Sequence, residues 1–436
     1  MDGSVVAPKP RVPMARRAAR SALLGSAVEF YDFTLFTTAS ALVLGPVFFA
    51  PLGDRKATVA AFITFGSAFL ARPLGALVLG HVGDRVGRRA ALIVSVTVMG
   101  AATTGIGLLP GYGDIGVAAP VLLLILRLLQ GFSAGGEQAG SNTLTLEHAP
   151  DAQRNRYSAW TMQGVSLGTL LGKVAFLIVV WLPRPDLLAW GWRVPFLAAG
   201  PLMLVAVAIR RTVEEPPRFT RLADAGGLAR VPAVEVLSHH WRAVVAVAAG
   251  TLFALGGTVL NVYGLSYATS HGTAPGHYLA MITVVTALGL VFQPFWARWS
   301  DRVGRRPVFV GCCLGASLLY FAYLPALGSG SLALVGLASV AMMLVWSGAN
   351  AVSSAWFAEL FPTRVRHSGA ALGGQLGMMV VGFAPAIMTS LEGAGPTGWL
   401  PVAGFGATCL LVAAAAGVLT AETYTRSLVD ADPGAR

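Results

Sequence analysis

The chain has 436 residues, of which 55% are hydrophobic and only 12% charged, and its formal net charge is +11. A soluble domain is about 25% charged, so this composition excludes an ordinary globular fold. Apolar runs of about twenty residues without strand-like alternation select membrane-crossing helices over a closed barrel. The basic excess does not point to nucleic acid, because Lys and Arg sit in alternate loops and no nucleic-acid-binding module interrupts the apolar runs.

In chain order, residues 1–21 read as a basic, proline-containing, disordered tail. Spans are expected at 22–48, 57–80, 89–109, 118–143, 157–182 and 191–210, which together make a first bundle over 22–210. No cleavable signal peptide is expected, since the first span reads as its own insertion signal. The stretch 211–240, with Glu214, Glu215, Pro216, Pro217 and several arginines, is too charged to insert and reads as a cytoplasmic linker. A second bundle over 241–420 takes spans at 242–268, 277–297, 307–325, 331–357, 367–391 and 398–420, and 421–436 forms a short cytoplasmic tail. The expected fold class is an all-α integral membrane protein of twelve transmembrane helices in two pseudo-symmetric six-helix bundles.

The distribution of positive charge tests this topology. Twenty-four Lys and Arg residues fall on one side, four on the other and three inside spans, accounting for all 31; the positive-inside rule then puts both termini in the cytoplasm. The basic set is arginine-heavy, with lysine only at Lys9, Lys56 and Lys173, which points to a GC-rich bacterium and so to its cytoplasmic membrane.

Two motifs occur twice. Gly80-His81-Val82-Gly83-Asp84-Arg85-Val86-Gly87-Arg88-Arg89 returns as Ala297-Arg298-Trp299-Ser300-Asp301-Arg302-Val303-Gly304-Arg305-Arg306, identical at six positions. Glu147-x-x-Pro150-x-x-x-Arg154 returns as Glu359-x-x-Pro362-x-x-x-Arg366, and each glutamate can meet an arginine of the repeated loop on the same rim. A charged, glycine-punctuated turn repeated between apolar runs marks a duplicated bundle, and duplication points to a transporter.

A charge at the centre of a bilayer costs about 2.5–3.5 kcal/mol on insertion scales, so ionisable residues within spans are functional candidates. Counting from the expected span ends puts Glu29, Asp32, Arg72 and Glu137 in one layer and Arg127 and Lys173 in a second, positive layer nearer the outer face. A carboxyl held in low dielectric beside a second one is suited to carrying a proton reversibly, which makes Asp32, Glu137 and Glu29 the proton-coupling candidates. The alternative is permanent pairing of Glu29 or Glu137 with Arg72 or Arg127. Arg127, with its planar fork, and Lys173, a point charge, are candidates to hold a substrate anion; for Lys173 the alternative is snorkelling to the outer interface.

Tyr31, Gln130, Gln163, Asn261, Tyr263, Gln293 and Asn350 are the polar groups available to orient a ligand. Gly164, Gly168 and Gly172, four residues apart, let the fifth span approach a neighbour closely. Cys312, Cys313 and Cys409 have neither disulfide nor metal-ligand spacing. With no nucleotide-binding loop or catalytic triad, no cofactor, metal site or enzymatic activity is expected.

The segments Glu29-Phe30-Tyr31-Asp32-Phe33, Ala71-Arg72-Pro73-Leu74-Gly75, the loop from Gly80 to Arg89, Arg127-x-x-Gln130-Gly131-Phe132-Ser133-x-Gly135-Gly136-Glu137 and Trp192-Arg193-x-Pro195-Phe196 resemble the metabolite:proton symporter branch of the major facilitator superfamily. The resemblance implies two bundles rocking about a central site, working as a monomer, with proton-coupled uptake of a small metabolite. Such substrates include citrate, 2-oxoglutarate and other dicarboxylates, shikimate, and osmolytes such as proline and betaine.

It also implies a conformational clamp at Gly80, Gly83, Asp84, Arg85, Gly87, Arg88, Arg89, Asp301, Arg302, Arg305, Glu147, Arg154, Glu359 and Arg366. Against it stands the reading that the charges at Asp84 and Arg88 only set topology. Ala297, where the first copy has glycine, departs from the pattern. The expected function is symport of a small organic carboxylate; a zwitterion or osmolyte carrier and an efflux antiporter are the rivals.

Overall fold

The computed structural model describes residues 12–85, 87–148, 154–212, 236, 238–361 and 366–422. Among them all regular structure is helical, in twelve long elements: α1 (Val12–Leu42), α2 (Asp54–Arg85), α3 (Arg88–Leu108), α4 (Ala118–His148), α5 (Arg154–Val179), α6 (Arg184–Arg210), α7 (Trp241–Ser270), α8 (Pro275–Val303), α9 (Arg305–Gly328), α10 (Leu332–Glu359), α11 (Arg366–Leu391) and α12 (Leu400–Leu419). Among the described residues, ten of these helices contain a stretch long and apolar enough to cross a membrane. Helices α1 and α5 pack along each other, and α1 buries Glu29 and Asp32 with Thr34, Thr37, Thr38 and Ser40.

Twelve helices running alternately in opposite directions put the start of α1 and the end of α12 at one end of the molecule, termed proximal; the opposite end is distal. Helix packing repeats between the halves: α1 on α5, α2 on α4 and α3 on both α4 and α6 are matched by α7 on α11, α8 on α10 and α9 on both α10 and α12. The repeated loop folds alike in both copies. Gly87 turns α2 into α3 at φ 122°, ψ 144°, and Gly304 turns α8 into α9 at φ 99°, ψ 158°. Only glycine takes up such angles without strain.

Around these turns, a guanidinium N–H of Arg89 donates to the Arg211 carbonyl at 2.7 Å. Arg305 forms an ion pair with Glu359. Glu422, just past α12, accepts the backbone N–H groups of Arg305 (3.3 Å) and Arg306 (2.9 Å), capping the first turn of α9. Arg302 is exposed. The side chains of the other expected clamp positions, Gly80, Gly83, Asp84, Arg85, Arg88, Glu147, Arg154, Asp301 and Arg366, lie outside those described, as do residues 213–235 of the expected linker.

The expected disordered tail is corrected at its inner end, because α1 begins at Val12. Pro13 suits a helix start, and Ala15, Ala18, Ala19 and Ala22 carry the helix forward, with Arg16 and Arg17 exposed and Ala19 buried. Helix α4 likewise runs on to His148, beyond the expected end at 143.

On the distal side the halves meet directly. Arg55, at the start of α2, donates to the carbonyl oxygens of Thr389 (3.0 Å), Ser390 (3.1 Å) and Glu392, where α11 ends. The guanidinium thus neutralises orphan carbonyls at the negative end of that helix. Trp181 at the far end of α5 meets His277 of α8 edge to face, with centroids 5.3 Å apart.

Between α1 and α5 the glycine ladder sets the separation: a Cβ at Gly164 would overlap the Leu23 carbonyl, and one at Gly168 the Ala27 carbonyl. Backbone cannot give way as a side-chain tip can, so Gly168→Leu should cost at least the roughly 1–3 kcal/mol of an overpacked core. Thermal unfolding in detergent is expected to show a clearly lowered transition for Gly168→Leu and little change for Gly374→Ala, whose new methyl meets nothing within 4 Å.

Candidate functional site

Among the described residues the buried charged side chains are Glu29, Asp32, Arg127, Glu137, Lys173 and Arg210. Asp32 and Arg127 form the central pair, with Oδ2 and Nη1 3.7 Å apart. Gln130, one turn along α4 from Arg127, bridges them: its Oε1 accepts from Arg127 at 3.0 Å and its Nε2 donates to Asp32 Oδ1. Thr103 Oγ1 of α3 lies 2.6 Å from Asp32 Oδ1 and 2.8 Å from the Met99 carbonyl, so its single hydrogen serves one of them at a time. The Arg127 guanidinium also stands over the rings of Phe36 (4.1 Å) and Phe65 (5.4 Å), where cation–π attraction replaces part of its lost hydration.

Glu29 is 3.6 Å from Arg72, which lies over Phe69 at 4.9 Å. Nearer the proximal face Glu137 pairs with Arg210 from the end of α6, and Gly25 of α1 leaves the space they occupy. Lys173 turns instead to the second half: its ammonium donates to Asn261 Oδ1 of α7 at 2.7 Å and to Thr286 Oγ1 of α8. Asn261 sits in a π-helical turn, Val259–Tyr263, that interrupts α7; such bulges are frequent at functional sites.

Two sequence expectations about depth are corrected. Asp32 and Arg127 share one level, and Glu137 does not share that of Asp32. The error came from the helix ends. Measured from Val12, Asp32 lies roughly 30 Å along α1, and measured from His148, Arg127 lies roughly 32 Å along α4 while Glu137 lies only roughly 16 Å. Arg127 and Lys173 therefore do not form a layer of their own: one is bound to Asp32, the other to the opposite half. Arg210, counted in the sequence with the loop arginines, is buried in the bundle.

The remaining candidates are scattered. The Tyr31 hydroxyl donates to the Pro195 carbonyl at 2.7 Å, tying α1 to α6, and Tyr263 reaches Glu392 Oε2 at 3.4 Å at the distal rim. Gln293 and Asn350 are half-buried, and among the described residues no side-chain hydrogen bond joins them to the charged groups. The side chain of Gln163 lies outside those described. Among the described residues no cluster of His, Cys, Asp or Glu could hold a metal ion.

Residues 22–385, spanning both halves, match the Major Facilitator Superfamily. The chain belongs to this superfamily. The shikimate transporter of Escherichia coli (strain K12) is 34% identical over 403 residues, covering 90% of this chain and 92% of that protein. A glycine betaine/proline/ectoine/pipecolic acid transporter of Dickeya dadantii (strain 3937) is 32% identical over 442 residues, covering 96% and 86%. The solved structure of a D-xylose-proton symporter superposes with a TM-score of 0.76 at 18% identity, covering 92% of this chain and 97% of that one, and so shares its fold.

As a member of the superfamily the protein is a multi-pass membrane transporter and not an enzyme. In this major facilitator fold three residues that bond to the buried charges, Thr103, Thr286 and Arg210, carry no distinguishing sequence signal. Two are single hydroxyls in apolar spans, and the third looks like any positive-inside arginine. The Glu137–Arg210 pair offers a check on the burial argument. Removing one member of a buried ion pair costs about 3–5 kcal/mol, whereas replacing both by apolar residues is often neutral. Arg210→Ala is expected to lower the thermal transition in detergent strongly, and Glu137→Leu combined with Arg210→Met to recover most of the loss.

Proposed function

We propose that the protein is a proton-coupled symporter that takes up a small organic carboxylate across a bacterial inner membrane, with the proximal face cytoplasmic and the monomer as the working unit. The observation that carries this reading is the Asp32–Gln130–Arg127 constellation, an acid buried between α1 and α4 whose charge is answered through an intervening amide. At about 4 Å and an effective dielectric near 20, such a pair is worth about 4 kcal/mol.

Protonation at Asp32 Oδ2 cancels that term and raises the net positive charge of the interior, which favours an entering anion. Proton and anion then favour each other's binding, as symport requires. The distal joining of α2 to α11 and α5 to α8 is the closed state of the outer gate in this scheme, and the glycine-hinged turns at Gly87 and Gly304 lie where the proximal ends separate. The expected clamp residues around those turns, Asp84 and Arg88 included, act on this same equilibrium. The shikimate transporter similarity favours a carboxylate. The similarity to the glycine betaine and proline transporter favours a second reading, a zwitterion carried on the same site.

Proteoliposomes under an imposed inward proton gradient test both. Acid-stimulated entry of shikimate supports the carboxylate reading, and acid-stimulated entry of proline or glycine betaine alone moves it to the zwitterion. Asp32→Asn is expected to abolish gradient-driven accumulation, a loss of at least about tenfold, while retaining exchange of labelled for unlabelled substrate across the membrane. Unaltered accumulation by Asp32→Asn would remove that residue from the coupling.

A further inference from the structure

Among the described residues the charges inside the bundle do not balance. Glu29 answers Arg72, Asp32 answers Arg127 and Glu137 answers Arg210. Lys173, 3% exposed, is the one buried cation among the described residues with no carboxylate within ion-pair distance. Both of its partners are neutral, and both are fixed by their own helices: Asn261 Nδ2 donates to the Gly257 carbonyl and Thr286 Oγ1 to the Ile282 carbonyl, each at 2.7 Å. An ammonium has three N–H donors; two are used here, and among the described residues the third has no acceptor. Asn261 is carried by the π turn of α7, so the position is set where a second-half span departs from regular geometry.

A buried ion is retained only when something offsets its desolvation. Here the protein supplies two oriented dipoles and leaves a full positive charge at the junction of α5, α7 and α8. We infer that this charge is completed by the substrate: Lys173 seats one carboxylate of the transported molecule between the two halves, its free donor and net charge meeting the carboxylate oxygens while Asn261 and Thr286 hold the ammonium in place. A single negative charge answers Lys173, so the group it recognises is one carboxylate. A molecule whose only carboxylate is esterified is rejected. The inference rests on the symport reading and narrows it, because it assigns the substrate's charge requirement to a residue outside the proton-carrying pair.

The test combines uptake with stability. In the vesicle assay shikimate, proline and 2-oxoglutarate are each compared with their methyl esters for the unaltered protein, Lys173→Gln and Asn261→Asp. The acid of the transported pair is expected to enter at least about tenfold faster than its ester in the unaltered protein. That preference should vanish in Lys173→Gln. It should also vanish in Asn261→Asp, where a fixed carboxylate occupies the charge while both side chains remain.

Lys173→Gln without ligand should unfold in detergent at a higher temperature than the unaltered protein, because it removes an uncompensated buried charge. A residue that merely braced the two halves would lower it. Retained acid preference in Lys173→Gln, or a lowered transition in that variant, overturns this inference and leaves the symport reading standing. Absence of acid-driven entry of every probe in the unaltered protein overturns both.

Discussion

Hydrocarbon cannot solvate an ion, and nearly everything specific about this transporter follows from how its chain satisfies that condition. Four acidic and basic side chains on α1 and α4 would each be costly in a lipid-facing helix. They persist because the neighbouring spans bring a counter-charge, an amide or a ring face to each of them. Arg127 shows the full set: a carboxylate at 3.7 Å, an amide at 3.0 Å, and two phenyl faces. Helix α1, which carries Glu29 and Asp32, is packed against α5 by close backbone contact at Gly164 and Gly168.

The two halves relate to this polar interior differently. Among the described residues the first contributes all the buried ions, while the second contributes neutral hydrogen-bonding groups, Asn261 and Thr286, and the distorted α7. Lys173 is where the two meet. On the distal rim, contact is made by Arg55 on the end carbonyls of α11, a bond to helix-end dipoles.

Much of the architecture was legible in the sequence because its signals are long and redundant. Twelve apolar runs, alternating Lys and Arg loops and two duplicated motifs each point to the same fold, and Gly87 and Gly304 occupy equivalent left-handed turns as the repeat implies. The ionisable residues within spans were likewise visible as anomalies. Which of them are partners was not. Apolar run lengths place the span ends short of where α1 and α4 really start and stop, because alanine-rich or polar residues continue a helix beyond the hydrocarbon as readily as within it. Depth reckoned from those ends sets Asp32 apart from Arg127. Arg210 was hidden for another reason: a linear chain gives an arginine at a helix end the same appearance whether it faces headgroups or a glutamate of another span.

Glu422 belongs to neither bundle's span, yet its carboxylate closes the first turn of α9, and Trp356 holds the preceding Ala421 carbonyl at 3.2 Å. The few residues after α12 are thus part of the folded body. A fluorescent reporter or affinity tag spliced on directly after Leu419 would strip that helix of its cap and loosen the very turn that echoes the first-half loop. A handle for purification or imaging belongs downstream of Glu422, on the polar residues beyond it.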